Sequence, residues 1–245
     1  MDVRPLRLLL APILTLLLVA GCSAASTPSS SPTAPPPPVG GSVISTGNNT
    51  NQMVSTLPVA VIDQWNALQA AGKGVEWLNT PNTTEVTNTT VAVGAGNSQG
   101  LIDRINAAAG TGTDRSALAA LNDIKSPAGS PVWVFSPLLD TRGPLDFREL
   151  AFDESPDEVI KAVKKAKALP DLKGRAVNFV LNPVAGDQAK PTDLQNGYLH
   201  AVWEQLAKAA GANQVEFFDG TGTDPGQGMG PAVEVPQPDA VSTTT

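Results

Sequence analysis

The chain has 245 residues, 41% hydrophobic and only 16% charged, which supplies a core for one domain of about 150–200 residues. Sixteen basic against 23 acidic residues give a net charge of −7, which argues against nucleic acid and against a polybasic membrane patch. One Cys and one His exclude an internal disulfide, a Cys-based zinc knuckle and a two-His metal motif.

Arg4 and Arg7 precede an uncharged run from Leu8 to Ala20. A spanning helix needs about 20 apolar residues, so this run reads as the apolar region of a secretory signal. It ends in Leu18-Val19-Ala20-Gly21-Cys22, which resembles the lipobox of bacterial lipoproteins. That resemblance implies a signal peptide over 1–21, cleavage after Gly21 and acylation of Cys22. The anchor would be diacylglycerol with fatty chains such as palmitate, holding the body outside the cytoplasmic membrane. Each buried CH₂ adds about 0.8 kcal/mol of membrane affinity. The alternative is an ordinary signal peptide followed by a chance Cys.

Residues 22–41 are rich in Pro, Ser and Thr, with Pro35 to Pro38 consecutive. They read as an extended spacer. Residues 220–245, rich in Gly, Pro and Thr, read as a disordered tail. Between them, 42–219 alternates strand and helix. Ser42 to Thr46 is a short strand followed by the polar run Gly47 to Gln52. Val59 to Ala71 is a helix with Val61, Ile62, Trp65 and Leu68 on one face, ended by Gly72. Gly74 to Leu78 is a strand. Glu85 to Val93 is a Thr- and Val-rich extended stretch. Leu101, Ile102 and Ile105 mark a helix closed by Gly110. Ser116 to Ile124 is another helix, and Val132 to Phe135 reads as a buried central strand.

Ser155-Pro156-Asp157-Glu158 is a helix start with Ser at the cap. Val159, Ile160, Val163 and Ala166 should then face inward, with the lysines at 161, 164, 165 and 167 mostly outward. Ala176 to Leu181 is the next strand. Thr192-Asp193-Leu194-Gln195 is a second capping box, whose helix should bury Leu194, Tyr198, Leu199, Val202 and Leu206. Val215 to Phe218 is the last strand. The alternation predicts an α/β domain: a doubly wound, mostly parallel sheet with helices on both faces.

Val132 to Phe147, with its Leu139-Asp140-Thr141-Arg142-Gly143-Pro144-Leu145 turn, resembles a segment of actinobacterial cell-envelope proteins. Ala168-Leu-Pro-Asp-Leu-Lys-Gly-Arg175 and Leu199 to Ala212 are similar to them too. The resemblance spans about 42–219. It implies a von Willebrand factor A-like fold, the N-terminal half of OmpA-family proteins. Relatives continue into an OmpA-type peptidoglycan-binding domain. This chain stops at Thr245, so peptidoglycan binding is not carried over.

In open α/β sheets, ligands sit beyond the carboxyl ends of the strands at the switch point. The residues expected there are Ser45, Asn48, Thr50, Asn51, Ser136, Asp140 and Thr141, with Asn182 onward and Asp219. A metal-binding A-type domain carries an Asp-x-Ser-x-Ser motif after its first strand. Here 45–52 has no Asp, and neutral oxygens hold Mg²⁺ weakly. The expectation is therefore no metal and no cofactor, with these loops satisfying turns and backbone groups. No Gly-x-Ser-x-Gly and no Gly-x-x-x-x-Gly-Lys occurs, and His200 stands alone as a base. The four Trp (65, 77, 133 and 203) read as core rather than as a carbohydrate platform. The leading reading is a non-enzymatic, membrane-anchored lipoprotein whose domain contacts an envelope protein partner or serves as a scaffold. The alternatives are a solute- or ligand-binding lipoprotein and, less favoured, an envelope hydrolase.

Overall fold

The run Val132-Trp-Val-Phe-Ser136 is buried at every position, as a strand covered on both faces must be. Its neighbours repeat that pattern. In chain order the elements are β1 (Val39–Ser45), β2 (Met53–Thr56), α1 (Val59–Ala70), β3 (Gly74–Asn79), β4 (Thr87–Ala92) and α2 (Ser98–Ala107). They continue with α3 (Ala117–Asn122), β5 (Val132–Ser136), α4 (Pro156–Lys165), β6 (Ala176–Leu181), α5 (Asp193–Ala209), β7 (Gln214–Asp219) and β8 (Thr221–Thr223). The computed structural model describes residues 37–46, 53–80, 87–92, 98–107, 115–150, 152–181 and 191–223. The expectations that fall on Cys22, Asn48, Thr50, Asn51, Gly110 and Asn182 lie outside them.

Six strands form one sheet in the order β4-β3-β1-β5-β6-β7. β3, β1, β5, β6 and β7 are parallel, and β4 pairs antiparallel with β3. The order reverses between β1 and β5, the switch point of a doubly wound fold. This is the predicted α/β class, a doubly wound and mostly parallel sheet.

Alternation along each strand builds two cores. Ile44, Leu78, Val134, Val177 and Phe179 face α3, α4 and α5. Val43, Val75, Trp77, Trp133, Phe135 and Val180 face α1 and α2. All four tryptophans are buried, Trp203 completely. The two predicted caps form. Ser155 Oγ accepts from Glu158 N, and Thr192 and Gln195 make a reciprocal capping box. The lysines of α4 are exposed.

The sequence reading needs four corrections. β1 begins at Val39, three residues before the predicted strand. Gly40 and Gly41, assigned to the spacer, are buried in it. A Cβ on Gly41 would lie 2.6 Å from the Trp133 ring, so only glycine lets the backbone lie on that indole. Residues 53–56, left unassigned by the sequence, pair antiparallel with 221–223, read as tail, in a second, two-stranded sheet. Leu194 is 85% exposed, because it sits in the first turn of α5, beyond the sheet. Ala166, predicted inward, is exposed as the C-cap of α4.

Candidate functional site

The carboxyl ends of β3, β1 and β5 form the switch-point rim. Ladder bonds Thr46 N–Phe135 O (3.2 Å) and Thr80 N–Ser45 O (3.4 Å) carry the register one residue past the strands. Alternation then puts Thr80, Thr46 and Ser136 in a row on the side of α3 to α5, and Ser45 and Asn79 on the side of α1 and α2. Ser45, Thr46 and Ser136 are fully buried, and Thr80 nearly so. Ser136 Oγ accepts from Leu138 N at 3.0 Å. Ser45 Oγ, Thr46 Oγ1 and Thr80 Oγ1 have no hydrogen-bond partner among the described residues. Ser45 and Ser136 thus end adjacent strands but point to opposite faces.

Asp140 and Thr141 do structural work in the turn after β5. The Asp140 carboxylate accepts from Ser116 Oγ (3.1 Å), Ala117 N (2.8 Å) and Leu118 N (3.0 Å) at the start of α3. Thr141 Oγ1 accepts from Arg115 N at 2.8 Å. Phe147 N donates to Asp140 O, and the Arg148 guanidinium clasps Asp146 and donates to Thr141 O. The turn therefore folds back on itself and holds α3. Leu138, at its entrance, has φ +62°, an uncommon conformation for a non-glycine. Trp203 Nε1 donates to its carbonyl at 3.0 Å. Burial pushes the Asp140 carboxyl up to about 6, against the pull of its three donors and of Arg115. Burial likewise lowers Arg115 to about 10, with Asp140 opposing.

His200 is half-buried and stacks on Phe217, with centroids 4.4 Å apart. It is packed as a core-edge ring. Among the described residues there is no group of three His, Cys, Asp or Glu able to hold a metal. Among them, too, no helix is long and apolar enough to cross a membrane.

The amino end of the sheet holds a polar network that was not predicted. Glu76, 3% exposed, accepts from Ser42 Oγ (2.8 Å), Lys125 N (2.8 Å) and Ser126 N (2.9 Å). Arg175 donates to Ser126 Oγ (2.9 Å) and Ser126 O (2.7 Å). The one available signal was a charged residue inside the strand Gly74-Val-Glu-Trp-Leu: a carboxylate between apolar strand positions must find partners. Thr46 reads as the last residue of its strand and Thr80 lies two residues past the predicted end of its own, so neither was singled out.

No family model matches the chain, and no curated protein does. Among solved structures it is similar to an aerotolerance-related membrane protein from Bacteroides fragilis NCTC 9343. Identity is 12%, over 73% of this chain and 91% of that one, with a TM-score of 0.33. It is also similar to a conserved hypothetical protein, BatB, from Bacteroides thetaiotaomicron. There identity is 11%, over 76% and 91% of the chains, with a TM-score of 0.33. Likeness of this degree carries no function across, and the fold class rests on the strand order itself.

Proposed function

We propose that this is a non-enzymatic interaction domain, held on the outer side of the cytoplasmic membrane by a lipid on Cys22. Its contact surface for a protein partner is the carboxyl end of the sheet. One observation carries this reading: the acid in the turn after β5, Asp140, is already engaged by Ser116, Ala117 and Leu118. Among the described residues the rim is left with hydroxyls and the Asn79 carboxamide, which suit recognition more than acid–base or nucleophilic chemistry. The connections leaving this end, 47–52, 81–86 and 182–190, are rich in Asn, Thr and other polar or turn residues. Variable loops on a rigid sheet are where binding residues concentrate. The resemblance of Leu139 to Phe147 to envelope proteins of the OmpA family supports the same setting.

The test is site-specific photo-crosslinking in cells. A photo-reactive residue at Asn48, Thr84 or Asp187 is expected to give a discrete protein adduct, and one at Lys161 on α4 is not. Equal labelling at both places, or hydrolytic turnover that a His200→Ala change abolishes, contradicts the proposal.

A further inference from the structure

At the opposite, amino end of the sheet, on the side of α1, a groove of about 300 Å³ opens between α1 and the starts of β5, β6 and β7. Its polar lining is Gln64, Asn178 and Gln214, one carboxamide each from α1, β6 and β7. Leu68, Pro131 and the Trp133 ring form the apolar floor, and no lining residue is charged.

Two of the carboxamides have fixed orientations. An indole N–H can only donate, and Trp133 Nε1 lies 2.7 Å from Gln64. The facing atom is therefore Gln64 Oε1, and the Gln64 NH₂ is left over. Asn178 turns its NH₂ to two acceptors, Gln64 Oε1 and Val132 O, each at 3.4 Å. Asn178 Oδ1 is left over, on a side chain in a residue only 2% exposed. Neither leftover group has a hydrogen-bond partner among the described residues. Gln214 donates to Glu216 Oε1 at 2.7 Å, which leaves its own oxygen as a further acceptor.

The groove thus presents a fixed donor beside a fixed acceptor over an apolar floor. A carboxylate would meet the Asn178 oxygen unfavourably, and an ammonium the Gln64 NH₂. A hydroxyl donates and accepts at once. We propose that this groove is a binding site for a neutral, hydroxyl-rich small molecule of monosaccharide size. Its volume is at the lower end of small-ligand sites. The site is separate from the proposed partner surface, so the two stand or fall independently.

Glucose and myo-inositol, titrated into the full ¹⁵N-labelled chain, provide the probe. Both are expected to shift the Trp133 indole N–H and the Gln64 and Asn178 carboxamide signals saturably, and sodium acetate is not. Gln64→Glu keeps the acceptor for Trp133 but loses the donor, and should weaken binding about tenfold. Gln214→Ala, at an exposed position, should weaken it less and leave the spectrum otherwise native. Absence of saturable shifts with either polyol overturns the proposal. So does a Gln64→Glu chain that responds as wild type, or preferential binding of a capped dipeptide, which would make the groove a peptide site.

Discussion

Asp140 shows how a loop residue that reads as a ligand can be a structural clasp. Its charge is buried, and its folded value of about 6 lies above the ordinary 3.8. The folded state therefore holds this proton more tightly than the unfolded one. The group's stabilising contribution is full below about pH 4 and is lost as pH rises through 6. Relative to an Asp140→Asn chain, stability should fall by something on the order of 3 kcal/mol between pH 4 and 7. Urea unfolding at several pH values measures this, and a flat difference would contradict it. Glu76, in β3, is a second buried carboxylate held by donors from distant parts of the chain. Glu76→Gln turns an NH₂ toward one of three donors, and should cost about 2–3 kcal/mol with an unchanged denaturant slope. Neither role was legible in the sequence. The partners of Asp140 lie 22 to 24 residues away, and those of Glu76 lie 34 to 50 away. Only the fold brings them together.

At the scale of elements, whatever is local was readable. Thr192 and Gln195 sit three residues apart, so their capping box is a property of the chain itself. Thr192→Ala should lower stability by about 1 kcal/mol, seen as a drop in the thermal midpoint; an unchanged midpoint would remove the cap's energetic role. Pairing partners were less readable. The stretch that became β4 carries Thr and Val with no mark of direction, and its antiparallel pairing with β3 comes from tertiary placement. β2 and β8 are short, and their pairing joins positions far apart in sequence. Gly40 and Gly41 looked like linker because glycine signals freedom, whereas Gly41 serves close approach to Trp133. Gly41→Ala should therefore destabilise by about 1–3 kcal/mol through overpacking. If that variant unfolded at the wild-type urea midpoint, the close contact would carry no energetic weight.

For the whole molecule, the parallel architecture was written in the regular exchange of period-2 and period-3.6 segments. The strand order was not, since every doubly wound order shares that alternation. The switch point follows from the order, and with it the rim where Ser45, Thr46, Thr80 and Ser136 end their strands. The proposed address is a separate message, read in Leu18 to Cys22 and owing nothing to the fold. Domain and tether together make the proposal of a non-enzymatic sheet presented outside the membrane. Intact-mass and peptide mass spectrometry of the protein extracted from its native membranes tests this most directly. The expected product starts at Cys22, with residues 1–21 gone and a diacylglyceryl thioether on the sulfur. A chain that still carries its first 21 residues and a bare thiol would contradict it.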